Sequence, residues 1–156
     1  MLLKTIDISN EKRTKSIAEM LFDTSEVGDT FALSGDLGVG KTSFAKYFIQ
    51  KGCKRVRVPS PSYNIYFQYK SFKSIIYHID VWRLENADDF LNLGIIDFLK
   101  SSIFLIEWAD KVENFIPKSS LKIIFNVVEE KRQISFVGDR LWKKRINKMF
   151  YENKPV

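Results

Sequence analysis

The spacing of apolar and polar positions changes along the chain, and each change marks an element. Leu2 to Ile8 alternates loosely and predicts an edge strand. Ser9 or Asn10 then caps a helix that reaches about Phe22, with Thr14, Ile17, Ala18 and Leu21 along one side. Gly28-Asp29 turns the chain into Thr30-Phe31-Ala32-Leu33, a β-prone run that reads as a buried strand. A glycine-rich stretch follows. Ser43 to Gln50 next places Phe44 and Phe48 on one helical face beside Ala45 and Ile49, and Gly52 ends the pattern. Val56 to Val58 is long enough only for a brief pairing with a sheet, and Pro59-Ser60-Pro61-Ser62 interrupts regular structure. Tyr63 to Tyr69 alternates, Lys70 to Lys73 turns, and Ser74 to Ile79 returns, which predicts a β-hairpin. Residues 86 to 100 read as helical in two pieces broken near Gly94, and Ile103 to Ile106 is a fully apolar strand leading into Glu107-Trp108. Leu121 to Val128 and Gln133 to Val137 form a second hairpin around Glu129 to Arg132. Asp139 caps a last helix bearing Leu141, Trp142, Ile146, Met149 and Phe150.

Strands and helices in this order predict an α/β fold with a mixed central sheet, flanking helices and β-hairpins. The length of 156 residues suits one domain over the whole chain. No repeat, linker or low-complexity tract is visible, and no run approaches the ~20 apolar residues that span a bilayer. The N-terminus is too short and too early acidic for a secretory signal. Cys53 is the only cysteine, so no internal disulfide is possible and a reducing, cytoplasmic setting is expected. Cys53 itself reads as a small, partly buried residue in preference to a reactive thiol. The formal charge of +6 is uneven. Arg140, Lys143, Lys144, Arg145, Lys148 and Lys154 face only Glu152 at the C-terminal end, and Lys51, Lys54, Arg55 and Arg57 cluster without an acid. Such clusters either attract RNA phosphates or an acidic partner, or form a solvated helix face and turn.

Chemistry enters at Gly35-Asp36-Leu37-Gly38-Val39-Gly40-Lys41-Thr42, which fits the phosphate-binding pattern G-x-x-x-x-G-K-[ST] between a predicted strand and a predicted helix. Glycines free the backbone to turn successive N–H groups inward around a polyphosphate, and the helix start adds its positive dipole end. Lys41 supplies a charge for the β- and γ-phosphates, and the Thr42 hydroxyl is placed for Mg²⁺. The pattern predicts a three-layer P-loop NTPase-like fold. Asp80 and Glu107 each follow an apolar strand, where an open α/β sheet borders its ligand crevice; otherwise each is an ordinary acidic cap. Asp80-Val81-Trp82-Arg83 is not the D-x-x-G of GTPases, and Asn147-Lys148-Met149-Phe150 is not a guanine reader, so ATP is favoured over GTP. No arginine-rich lid is evident. His78, the only histidine, reads as a packed neighbour of Asp80, and the aromatic hairpin of Tyr63, Tyr66, Phe67 and Tyr69 as sheet core before a stacking platform for bases.

Four segments in order resemble the TsaE (YjeE) family of ATPases, a component of the bacterial system that makes threonylcarbamoyladenosine in tRNA. They are Gly35 to Thr42, Ser60-Pro61-Ser62-Tyr63, His78-Ile79-Asp80-Val81-Trp82-Arg83-Leu84 and Ile106-Glu107-Trp108. The resemblance covers nearly the full length. It implies that Gly35, Asp36, Leu37, Gly38, Val39, Gly40, Lys41, Thr42 and Ser43 hold ATP, that Thr42 ligates Mg²⁺, and that Asp80 and Glu107 serve the metal and hydrolysis together with Lys41. It implies a switch-like loop at 60–63 including Ser62, Trp108 beside the site, and the 10–14 segment, with Glu11 and Thr14, near the adenine together with Arg132. Ser62 stands where the family usually has Thr, which keeps the hydroxyl and loses the methyl, and Trp82 stands where Tyr is frequent. The implied partners are the TsaD and TsaB proteins, with tRNA reached through the complex, no membrane, and no transfer of the carbamoyl group by this chain. A small P-loop metabolite kinase and a basic tRNA-binding module with a regulatory nucleotide site are the competing readings. The proline-flanked loop predicts weak ATP turnover until a partner orders it.

Overall fold

The computed structural model describes residues 1–153; Lys154, part of the basic C-terminal cluster, lies outside the described residues. Seven strands form one mixed sheet: β1 (Leu2–Asp7), β2 (Thr30–Ser34), β3 (Tyr66–Lys70), β4 (Ile75–Asp80), β5 (Ile103–Glu107), β6 (Leu121–Val128) and β7 (Lys131–Val137), in the order β1-β7-β6-β2-β5-β4-β3. The central strands β6, β2, β5 and β4 run parallel, β7 and β3 flank them antiparallel, and β1 pairs antiparallel with β7 at the edge. Parallel strands are covered on both faces, which is why Phe31-Ala32-Leu33 and Ile103 to Ile106 carry apolar residues at every position.

On one face lie α1 (Glu11–Thr24), α2 (Lys41–Gly52) and α3 (Arg140–Glu152). Their buried faces meet alternate strand residues: Phe22, Phe44, Phe48, Trp142 and Ile146 pack with Ile6, Phe31, Leu33, Leu105, Ile123, Phe125 and Phe136. Fully burying each such side chain stabilises by about 1.5–3 kcal/mol. On the other face Ala32, Tyr77, Ile79, Phe104 and Ile106 are covered by 3-10 segments at Ala87–Leu93, Ile96–Phe98 and Ala109–Phe115, through Phe90, Ile95, Val112 and Ile116. Three layers result, as expected for the α/β class. The two long elements on the helical face are anchored at their starts. The Asn10 side chain accepts from Lys12 N–H, and that of Asp139 from Trp142 N–H.

Two expectations need correction. Val56 to Val58 joins no strand; it runs as irregular chain with Val58 buried in the core. Tyr63 to Ile65 is a turn and not the start of β3, because Ile65 takes φ 67° and its carbonyl accepts from Asp80 N–H at 2.7 Å. The 86–100 stretch is helical in two pieces as expected, both of them 3-10, with the left-handed Gly94 between them. As expected, α2 ends at Gly52, and a Cβ there would stand 2.4 Å from the Phe22 ring.

Candidate functional site

β2 ends at Ser34, and the loop 35–40 carries the chain from there to Lys41, the first residue of α2. Gly35, Gly38 and Gly40 all have positive φ, at 138°, 77° and 111°. Gly35 is the most constrained, since a Cβ would lie 2.5 Å from the Phe125 carbonyl oxygen on β6. Beside β2 in the sheet, β5 and β4 end in Glu107 and Asp80, which are partners in the strand register. The loop, the start of α2 and both carboxylates therefore meet at one end of the sheet.

They line one cavity of about 380 Å³, together with Leu37, Ser60, Ser62 and Trp108. The Thr42 hydroxyl donates to Glu107 Oε2 at 2.8 Å. Glu107 Oε1 lies 2.8 Å from His78 Nε2, and the two side chains are 2% and 0% exposed. Asp80 accepts from the Ser62 hydroxyl at 2.9 Å through Oδ2 and from Trp82 N–H at 2.8 Å through Oδ1. The Lys41 ammonium donates to the Gly35 and Asp36 carbonyls at 2.5 and 2.7 Å and sits 4.0 Å from the Trp108 ring centroid. Burial pushes the Lys41 amine below the ordinary lysine range, against the opposing pull of Glu107 and Asp80. Trp108 itself is left-handed, with φ 59°, and its ring packs on Trp82 at 4.2 Å. Lys111 fastens this corner by donating to the Trp82 and Leu84 carbonyls at 2.7 and 3.0 Å.

A second cavity of about 350 Å³ adjoins the first and shares Gly40, Ser43 and Arg132 with it. Glu11, Thr14 and Val39 also line it. The Glu11 carboxylate accepts from the Tyr47 hydroxyl at 2.5 Å, and the Thr14 hydroxyl donates to the Ile8 carbonyl at 3.3 Å. The sequence-predicted residues thus fall into two groups. Leu37, Gly38, Gly40, Lys41, Thr42, Ser43, Ser62, Asp80 and Glu107 surround the first cavity; Glu11, Thr14, Val39 and Arg132 reach the second. Gly35 and Asp36 contribute through their carbonyls to Lys41 and line neither.

His78 was expected beside Asp80, yet its ring binds Glu107 on the neighbouring strand. It shares a strand face with Asp80 two residues on, and that face also points toward the Glu107 side chain. Sequence reasoning also passes over Lys111. Arg83, three residues after Asp80, is engaged with the Tyr63 ring, 4.3 Å from its centroid.

Among the described residues no group of three or more His, Cys, Asp or Glu side chains is arranged to hold a metal unaided. The Thr42 hydroxyl and the Asp80 and Glu107 carboxylates at the first cavity are all oxygen donors. That chemistry suits a hard cation that takes its remaining ligands from phosphate and water.

The sheet order, the loop between β2 and α2, and the carboxylates at the ends of β4 and β5 define an α/β protein of the P-loop NTPase-like fold. The model of the family described as threonylcarbamoyl adenosine biosynthesis protein TsaE matches residues 8–134, and the chain belongs to the TsaE family. The tRNA threonylcarbamoyladenosine biosynthesis protein TsaE of Bacillus subtilis is 35% identical over 136 residues, covering 84% of each chain. That of Borreliella burgdorferi is 31% identical over 137 residues, covering 85% of this chain and 98% of the relative. The crystal structure of Bacillus subtilis YdiB superposes with a TM-score of 0.78 at 26% identity, covering 99% of both chains. No helix among the described residues is long and apolar enough to cross a membrane.

Proposed function

We propose that this chain binds ATP with Mg²⁺ and hydrolyses it to drive a step of tRNA threonylcarbamoyladenosine formation, without transferring the carbamoyl group itself. The observation that carries the reading is the Thr42–Glu107 hydrogen bond at 2.8 Å, which ties the start of α2 to a strand-end carboxylate in the cavity that also holds Lys41 and Asp80. A hydroxyl that donates its proton to a carboxylate keeps its lone pairs free for a cation. Thr42 is the residue to hold Mg²⁺, with Glu107 and Asp80 facing the same spot. Mg²⁺, when bound, supplies positive charge to the β- and γ-oxygens and eases charge build-up in phosphoryl transfer.

The chain's own residues do the rest. The positive-φ glycines turn loop N–H groups toward a polyphosphate, and α2 adds its dipole. The Lys41 ammonium leaves the Gly35 and Asp36 carbonyls for phosphate oxygens, a stronger, charge-assisted contact. Asp80 orients the attacking water, and Ser62 on its Oδ2 couples that carboxylate to the 60–63 loop. The second cavity, with Glu11, Thr14 and Arg132, takes the nucleoside end. Partners are the TsaD and TsaB proteins, as the family resemblance implies, and the setting is the cytoplasm.

Turnover of ATP by the chain alone, with candidate small-molecule acceptors, with the partner complex and with tRNA tests this reading. Free phosphate as the product, raised by the partner complex, is the expected result. A phosphorylated acceptor would instead make the chain a metabolite kinase. Tight tRNA retention without nucleotide, and no hydrolysis, would make it an RNA-binding module.

A further inference from the structure

His78 is a fully buried histidine that none of these steps uses. Its Nε2 is 2.8 Å from Glu107 Oε1, its Nδ1 has no partner, and no atom of its side chain reaches the cavity lining. A carboxylate only accepts, so Nε2 carries the hydrogen and Nδ1 is left with a lone pair. An orphaned polar atom in the interior has a cost, and here it is tolerated beside a carboxylate of the site that is held on both oxygens. Glu107 is 2% exposed, and both its oxygens are spoken for: Oε1 by His78 and Oε2 by Thr42.

From this arrangement we infer that His78 is a positioning residue for the cation-binding hydroxyl, acting through Glu107. The inference rests on the proposed Mg²⁺-dependent ATPase reading. A carboxylate on a flexible glutamate side chain can rotate about its last bond, which is a soft torsion. Clamped by the imidazole on one oxygen, the Glu107 carboxylate has a fixed plane. Its other oxygen then stays on the Thr42 hydroxyl proton, and the hydroxyl's lone pairs keep one direction. The chain Thr42–Glu107–His78 runs from the start of α2 across β5 into β4, so each member stands on a rigid element. Without His78, Oε1 would be a buried, unpaired carboxylate oxygen. It would draw the side chain toward the cavity water or onto Thr42, and the hydroxyl would lose its orientation. Partners behind metal-holding groups commonly carry 10–100-fold in metal affinity or activity.

The test uses His78→Leu, which keeps an apolar buried side chain and loses the donor, and His78→Gln, whose amide can return an N–H to Glu107. ATP binding is titrated in EDTA and across a range of Mg²⁺, alongside turnover and thermal melting. The Glu107 carboxylate is followed in the ligand-free protein by the ¹³C shift of its labelled carboxyl carbon. The wild-type chain must first bind and hydrolyse ATP with Mg²⁺; if it does not, the functional reading fails and not this one. In His78→Leu the Mg²⁺ needed for half-maximal binding should rise, and kcat fall, by about 10- to 100-fold, with binding in EDTA unchanged and the carboxyl shift displaced. His78→Gln should restore most of both. A folded His78→Leu variant with wild-type Mg²⁺ dependence and kcat would overturn the inference. So would a His78→Gln variant that regains the melting temperature and the carboxyl shift but not the Mg²⁺ dependence.

Discussion

At the scale of single residues, Lys41 concentrates the chemistry and the cost of the site. Its ammonium is held between two loop carbonyls and the Trp108 ring, in surroundings that push its pKa down by burial. The unfolded chain binds that proton more tightly than the folded one. Folding therefore carries a penalty at every pH below the folded pKa, neutral pH included, and the penalty fades as pH rises from the folded to the unfolded value. Polyphosphate would remove the cause. Lys41→Met is thus expected to melt within about 4 °C of wild type while binding ATP roughly 10- to 100-fold more weakly, as calorimetry would read. Gly35→Ala should behave in the opposite way. A Cβ 2.5 Å from the Phe125 carbonyl, at φ 138°, strains the loop and lowers stability by about 1–3 kcal/mol in denaturant titration. The glycines, Lys41 and Thr42 were legible in the sequence because their spacing is local. The Glu107–His78 contact was not, because it depends on the register of β4 against β5, which no short pattern reveals.

At the scale of elements, what the sequence disclosed follows from how strongly each segment repeats. The helices α1, α2 and α3 and the strands β2 and β5 have long or unbroken apolar patterns, and each was found within a few residues. The piece at Ala87–Leu93 reads as helical without its type, because seven residues are too few to separate a period of 3.0 from 3.6, and Ala109–Phe115 does not read as an element from sequence. Tyr63 to Ile65 alternates like a strand but turns, since the Ile65 carbonyl is needed by Asp80 N–H. The C-terminal basic run reads from sequence as either a partner-attracting patch or a solvated face, and Arg145 within it does neither: it is 12% exposed and paired with Asp29 at 2.5 Å, while donating to the Thr24 carbonyl at 2.7 Å. That one residue joins α3 to the end of α1 and the turn before β2. Arg145→Met leaves Asp29 largely buried and unpaired, and should cost roughly 3–5 kcal/mol in chemical denaturation. Asn10→Ala removes the cap of α1 and should cost about 1 kcal/mol. It should also loosen the wall of the second cavity, where Glu11 and Thr14 sit.

At the scale of the whole molecule, the site lies where the sheet's parallel strands end, and its rim is unusually apolar for an exposed surface. Leu37 is 80%, Tyr63 83% and Trp82 49% exposed. Tyr63 adjoins the Ser60 to Ser62 loop, whose hydroxyls bond to each other and, from Ser62, to Asp80. A protein that covers the rim would exclude water and fix that loop together with Asp80. Each tenfold in rate requires only ~1.4 kcal/mol of barrier. Turnover should therefore be slow for the chain alone and faster with the partner complex. By linkage, a non-hydrolysable ATP analogue should tighten partner binding relative to ADP or no nucleotide, and Ser62→Ala should weaken that coupling. Equal partner affinity in all three nucleotide states would leave the loop without a switching role.

The most direct test of the central claim is calorimetric titration of ATP into the purified chain with and without Mg²⁺, repeated with Lys41→Met, Thr42→Ala and Glu107→Gln. The expected outcome is saturable 1:1 binding that Mg²⁺ strengthens, a large loss in Lys41→Met, and a loss confined to the Mg²⁺ gain in Thr42→Ala and Glu107→Gln. Absence of ATP binding by the wild-type chain, or binding unchanged in folded Lys41→Met, would contradict it.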